Sequence, residues 1–192
     1  DSGIYRVGPL GRLNASEGMA TPQAQQEYER MYETLGGKPI HSTLAFHWAR
    51  LIEMLYAAER ALELSRDEEI TSKEVRNKPG SPGEGVGIVE AARGTLIHHY
   101  KLDEEALVES VNLIVASTNN APAMCMSIRN AAKSLILGGK VSEGLLNRVE
   151  TAFRAYDPCL ACATHFAIGQ MPLEVKIYNH NRQLLKALKR NF

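Results

Sequence analysis

Apolar side chains recur every three or four positions across residues 42–65, where Leu44, Trp48, Leu51, Ile52, Leu55, Tyr56, Ala58 and Leu62 form one stripe. That spacing is the period of an α-helix, so this segment is predicted to be the longest helix, with Trp48 in its packed face. Before it, Thr21 can cap and Pro22 suits a first helical position. Residues 23–35 then run without a breaker to Gly36-Gly37, which predicts another helix. Residues 1–22 carry Gly3, Gly8, Pro9, Gly11, Gly18 and Pro22 too closely for a regular element to extend far, and an irregular lead-in is expected.

The pattern changes after residue 67. A charged stretch passes into Pro79, Gly80, Pro82, Gly83, Gly85 and Gly87, which predicts an extended loop over 67–87. Residues 88–100 and 107–117 are rich in β-branched and aliphatic side chains and flank a polar turn at 102–106, so an antiparallel hairpin is predicted. His98 and His99 are neighbours on its first strand; their imidazoles face opposite sides and cannot form a metal site by themselves. Helical character returns at 121–137, with Pro122 near the start and Gly138-Gly139 at the end, and again at 142–155 through Leu145, Leu146, Val149 and Phe153. The tail alternates around Leu173, Val175 and Ile177 as a strand does, then reads as a basic helix-like end over 182–190. The predicted fold class is mainly α with a small antiparallel β hairpin or sheet.

Lys and Arg total 22 and Asp and Glu total 22, so no global field draws the chain to nucleic acid or to an anionic membrane. Hydrophobic residues make up 44%, enough for a real core, yet no apolar run nears the roughly 20 residues that a bilayer crossing needs. A soluble globular chain is expected. It begins at Asp1 rather than Met, which reads as a cut from a longer protein. The cysteines are Cys125, Cys159 and Cys162, an odd number with one C-x-x-C pair. That favours a reducing, cytoplasmic setting and metal or redox use over a disulfide framework.

The densest chemistry lies in Asp157-Pro158-Cys159-Leu160-Ala161-Cys162-Ala163-Thr164-His165. Two sulfurs three residues apart at a helix start can converge on one point, and the positive helix end favours the thiolate that a soft metal needs. Structural zinc wants four ligands, and only Cys125 and scattered histidines remain to complete such a set. A thioredoxin-like pair would follow a first βα unit near the N-terminus. Cys125, between Met124 and Met126, reads as a packing residue.

This nine-residue segment resembles the C-terminal nickel–iron ligand motif of nickel–iron hydrogenase large subunits. Glu90-Ala91-Ala92-Arg93-Gly94 resembles the family's Glu-Ala-Pro-Arg-Gly element, and Asn112-Leu113-Ile114-Val115-Ala116-Ser117-Thr118-Asn119-Asn120 resembles its core strand and following turn. The lead-in Tyr5-Arg6-Val7-Gly8-Pro9-Leu10-Gly11-Arg12-Leu13-Asn14 is similar to the family's as well. The resemblance covers residues 5–165. It is to the cytoplasmic methanogen-type branch, deazaflavin-nonreducing or deazaflavin-reducing, with Ala116 where membrane-bound relatives have Pro.

The resemblance implies the C-terminal portion of the large-subunit fold over 1–165 and a nickel–iron centre carrying CO and cyanide, where four soft thiolates are wanted. It implies that Cys159 is a terminal nickel ligand, that Cys162 bridges the metals, and that His165 binds magnesium together with the backbone carbonyl of Leu113. It further implies that Ser117 hydrogen-bonds a cyanide nitrogen, and that Arg93 stands over the open metal position, held by Asp157 and sharing proton handling with Cys159. The implied reaction is reversible oxidation of H2, with electrons passed to an iron–sulfur small subunit.

Two departures accompany the resemblance. Ala92 stands where the family has Pro, which removes a rigid φ just before Arg93. The family's other two thiolates come from a second C-x-x-C near the N-terminus, and this sequence has none there. The chain is thus expected to supply half of the metal site and to need the remaining N-terminal part of the large subunit. Alone it is expected to be inactive and to lack both the nickel–iron centre and magnesium. In the family, nickel chaperones load the metal and a maturation protease then trims the chain after the motif histidine. Residues 166–192 therefore read as an unprocessed propeptide, lying on the surface or packing as a strand and leaving Cys159 and Cys162 open to thiol reagents. The alternative reading is a non-enzymatic module that uses Cys159, Cys162 and His165 for zinc or for a partner.

Overall fold

Gly8 turns the chain into its first helix, α1 (Pro9–Ala15), within the stretch whose glycines and prolines predict irregular structure. Its φ of 109° is open only to glycine at low strain, and Pro9 then sits at the first helical position, where its fixed φ and missing N–H cost nothing. The residues that break a helix from inside start one here. The computed structural model describes residues 3–159 and 173–190. They fall into two units, one of them Arg6–Ala116.

In that unit α1, α2 (Pro22–Thr34) and α3 (Ala45–Leu64) share a core, with α3 touching both of the others. Leu10 and Leu13 meet Ala24, Tyr28 and Met31 of α2 and Ala45, Phe46, Ala49 and Ile52 of α3, all of them buried. The sequence stripe along α3 is only partly the packed one: Leu44, Leu51 and Leu62 are 57%, 61% and 55% exposed, and Trp48 is half-buried. α3 is apolar on more than one side, and the side with the small residues Ala45 and Ala49 wins because it admits the neighbouring helices closely.

The start of α2 also differs from expectation. The Thr21 side chain makes no cap bond to its own helix; its hydroxyl donates to Glu59 Oε2 of α3 at 2.6 Å. Glu59 then accepts the backbone N–H groups of Gln23 (3.1 Å) and Ala24 (3.0 Å), so the cap comes from the neighbouring helix. At the far end of this core the Tyr32 hydroxyl donates to Asn14 Oδ1, which also accepts the N–H of Ile40. Burial, reinforced by Tyr28, pushes Tyr32 up to about 12, so it stays a donor.

The same unit carries a three-stranded antiparallel sheet with β2 (Gly94–Leu102) between β1 (Glu84–Ala91) and β3 (Val108–Ile114). The single strand predicted over 88–100 is two strands, folded back at Ala92-Arg93 so that Ala91 pairs with Gly94. Only Gly94, at φ 135°, signals this turn locally. The second turn falls where predicted: Asp103 Oδ1 accepts the N–H groups of Glu105 and Leu107, and Ala106 adopts φ 63°. His98 stacks near Tyr100 while His99 pairs with Glu84, consistent with opposite faces.

The second unit holds residues 3–5 and the described residues from Ser117 onward. Helix α4 (Ala116–Leu135) begins well before Pro122, which lies inside it and offers no N–H to the carbonyl of Thr118. α5 (Glu143–Arg154) is capped by Ser142, whose Oγ accepts the N–H of Leu145. Tyr156 joins the two helices, its hydroxyl 2.9 Å from Ser127 Oγ. The tail is a hairpin of β4 (Leu173–Tyr178) and β5 (Leu184–Arg190), so the helix-like end expected over 182–190 is a strand. Asn179 sets the turn, its Oδ1 accepting the N–H groups of Asn181 and Gln183, with Arg182 at φ 60°. Pairing with β4 outweighs the helix preference of Leu, Lys and Ala there.

The Glu59 cap makes a pH prediction. Bonding from Thr21, opposed by desolvation and aided by the two backbone N–H groups, holds its carboxyl below the ordinary value of 4.5. A depressed folded pKa stabilises above the unfolded value and fades as pH falls through the folded one. Glu59→Gln should therefore melt below the parent at neutral pH, and the gap should close as the pH drops below 4.5. Thermal melts across that range check it.

Candidate functional site

Arg93 occupies the second position of the two-residue β1–β2 turn, and its side chain is exposed. The turn is held from the side of α1. A Cβ built on Gly8 would lie 2.9 Å from the carbonyl oxygen of Arg93, and one built on Gly94 would run into Val7 Cγ2 and lie 2.9 Å from the Gly8 nitrogen. Backbone meets backbone here, and any side chain at either glycine would force the segments apart.

Arg12 of α1 grips the same turn. Its Nε and Nη2 donate to Glu53 Oε1 (2.7 Å) and Oε2 (2.6 Å) of α3 in a two-pronged pair. Nη1 donates to Glu90 Oε2 (3.0 Å) and to the carbonyl of Ala91 (2.8 Å), and Nη2 also reaches the carbonyl of Ala92 (3.2 Å). Every one of the five guanidinium N–H donors therefore has an acceptor. Burial alone would lower its pKa, but the bonds and charges of Glu53 and Glu90 outweigh that and raise it. Beside it an open cavity of about 340 Å³ is lined by Ser16, Met19, Glu53, Tyr56 and Ala92.

In the second unit the chain brings Cys159 to Ser117. The N–H of Cys159 donates to Ser117 Oγ at 2.9 Å across 42 residues of sequence. Ser117 is 5% exposed and lies in the first turn of α4, where the helix end carries partial positive charge. Accepting this bond leaves the hydroxyl its own O–H to donate. In the same turn Asn119 Oδ1 accepts the Tyr5 hydroxyl at 2.5 Å, and Asn120 is fully buried. Asp157, two residues before Cys159, takes φ 51°, and its N–H bonds the Arg154 carbonyl. Cys159 itself is half-buried, and metal binding would require it as the thiolate.

The sequence-predicted residues thus divide. Arg93 and Leu113 belong to the first unit; Ser117, Asp157 and Cys159 belong to the second. Cys162 and His165 lie outside the described residues. Among the described residues no group of three or more His, Cys, Asp or Glu is placed to hold a metal ion. Cys125 is an exposed free thiol instead of a packing residue. Sequence reading passed over Arg12, Glu53 and Glu90; the one available signal was the position of Arg12 in the lead-in motif.

The family model for nickel-dependent hydrogenases matches residues 1–165, and the chain belongs to that family. An iron-sulfur subunit of the F420-non-reducing hydrogenase from Archaeoglobus profundus is 50% identical over 191 residues, which takes in 98% of this chain and 39% of the relative. The NAD-reducing hydrogenase HoxS subunit beta of Cupriavidus necator is 43% identical over 189 residues, 96% of this chain and 38% of the relative. The crystal structure of an NAD+-reducing nickel–iron hydrogenase in the H2-reduced state superimposes with a TM-score of 0.81 at 44% identity, covering 85% of this chain and 36% of that one. The fold is accordingly mainly α with small antiparallel sheets, as in the C-terminal part of the nickel–iron hydrogenase large subunit. The chain spans less than two fifths of the length of these curated relatives. Shared sequence at 98% coverage also runs past residue 165 into the tail.

Ser117→Ala should cost about 1 kcal/mol of stability by leaving the Cys159 N–H without its acceptor. Denaturant unfolding of the chain measures this, and Ser117→Thr, which keeps the hydroxyl, should recover most of it.

Proposed function

We propose that this chain is the C-terminal part of the catalytic large subunit of a cytoplasmic nickel–iron hydrogenase that oxidises H2 reversibly to protons and electrons. The observation that carries the reading is the bond between Ser117 and Cys159, which joins two members of the proposed site across 42 residues of sequence. The donor chemistry suits half of the group: Cys159 and Cys162, as thiolates, would hold nickel and iron. When bound, a nickel–iron centre with CO and cyanide ligands supplies the redox chemistry, and a nearby magnesium would be held by His165 and the carbonyl of Leu113.

The chain's own residues then bind, orient and move protons. Ser117 keeps its O–H to donate, and a cyanide ligand of the centre would be its acceptor. Cys159 Sγ, as a thiolate, accepts a proton. The Arg93 guanidinium would supply positive charge for the centre and share the handling of that proton, and Asp157 would be the carboxylate that serves it. The remaining N-terminal part of the large subunit provides the other two thiolates, and an iron–sulfur small subunit takes the electrons. Residues 166–192 serve as a maturation extension, removed by a protease after nickel chaperones have acted. The end of the family match at residue 165 and the hairpin pairing of β4 with β5 support this division. Among the described residues no helix is long and apolar enough to cross a membrane.

Metal analysis tests the assignment. The isolated chain should bind no stoichiometric nickel, because two thiolates cannot supply a four-sulfur site. In the assembled full-length enzyme Cys159→Ala should abolish nickel. One equivalent of zinc in the isolated chain would favour the binding-module reading instead. Arg93→Lys in the assembled enzyme should lower turnover by more than about threefold, roughly 0.7 kcal/mol on the barrier, since a point-charge ammonium does not reproduce a planar fork.

A further inference from the structure

The geometry points to Arg12 as the positioning residue for Arg93: one guanidinium, fixed to α3, sets the backbone of the turn that presents the other. This rests on the reading of Arg93 given under the proposed function.

Ala92 and Arg93 are both exposed, so side-chain packing does little to fix the turn they form. Backbone constraints do the fixing, and they come from both sides. On the incoming side, Arg12 bonds the carbonyls of Ala91 and Ala92, the two residues immediately before Arg93. These bonds orient two successive peptide planes, a constraint of the sort a proline at position 92 would supply through φ. On the outgoing side, the Arg93 carbonyl and Gly94 abut Val7 and Gly8, which lead directly into α1. One short helix therefore holds both flanks of the turn.

The grip is stiff because the guanidinium cannot swivel. Glu53 holds Nε and Nη2 in a two-pronged pair, and Glu90, on the strand that enters the turn, holds Nη1. Glu90 also accepts the hydroxyl of Thr95, its partner across the hairpin, so the clamp spans both strands. A guanidinium that must act on a reacting molecule has to stand within a fraction of an ångström of its working place, and misplacement by about 1 Å costs on the order of a hundredfold in rate. Neither Glu53 nor Arg12 touches that place; they act through the turn.

The test uses the assembled full-length enzyme. Arg12→Ala should lower kcat about tenfold or more while nickel content and the KM for H2 stay at parent values. Free guanidinium ion at non-denaturing concentration, entering the cavity beside residue 12, should restore part of the rate. In an Arg93→Ala background, Arg12→Ala should cost nothing further. Arg12→Lys, which keeps charge near Glu53 but cannot span both carbonyls, should retain nickel and show an intermediate kcat, and it serves if the alanine variant fails to fold. A readout independent of turnover comes from hydrogen–deuterium exchange on the 192-residue chain. Exchange at Arg93 and Gly94 should quicken in Arg12→Ala while the amides of α3 stay protected.

The inference is overturned if Arg12→Ala keeps kcat within about twofold while Arg93→Ala is severely impaired. It is equally overturned if kcat, nickel content and melting temperature fall together with no rescue by guanidinium, the outcome of a purely structural role. If Arg93→Ala is itself neutral, the reading of Arg93 fails first, and that result is separable because it does not involve residue 12.

Discussion

One side chain, Arg12, holds the first unit in its functional shape. Its five N–H donors meet five oxygens drawn from two carboxylates and two backbone carbonyls, which belong to α3 and to the β1–β2 hairpin. Such saturation is energetically lopsided: making all five bonds stabilises modestly, whereas removing the guanidinium strands four groups at once, at about 1–3 kcal/mol for each one that is buried and left without a partner. The demand propagates outward. α1 must start at a set place to carry Arg12 to the hairpin, which is why Gly8 takes a left-handed turn and Pro9 follows it. The hairpin must come close enough to be gripped, and Gly94 permits that approach.

The second unit uses a different device for a related purpose. Where the first fixes a cation through charge-assisted bonds, the second fixes a sulfur through its own backbone, by hanging the Cys159 amide on a buried serine hydroxyl at a helix start. The two devices act on different lengths of side chain. A guanidinium ends a long flexible stem, so only a stiffened backbone narrows its range; a cysteine sulfur sits one bond from Cβ, so placing the backbone places the sulfur within narrow limits. The chain belongs to the nickel-dependent hydrogenase family, and apolar residues such as Leu51 and Met54 of α3 are exposed in it.

Much of this was legible in the sequence, and the exceptions share a cause. The period along α3, the breakers after α2, the apolar spacing of α5 and the alternation in β4 are local signals, and each gave the right element. Cys159, Ser117 and Arg93 were singled out by motif resemblance alone; the structure joins the first two through the Cys159 amide, a bond the sequence reading did not include. What could not be read were features fixed by partners far away in sequence. Glu59 caps α2 in place of Thr21, Arg12 meets Glu90 across 78 residues, and the strand β5 forms only because β4 is there to pair with it. The packed side of α3 was misjudged for the same reason: Leu51 is the better hydrophobe, but Ala49 faces the helices. Pro122 misled in a second way, since a proline in an interior turn costs one bond that α4 tolerates.

The long sequence interval between Ser117 and Cys159 also has a bearing on synthesis. At about 5–20 residues per second, the ribosome adds the intervening 42 residues in roughly 2–8 s. For that interval the serine hydroxyl has no cysteine amide to receive. The order of synthesis therefore makes the acceptor first and its donor last.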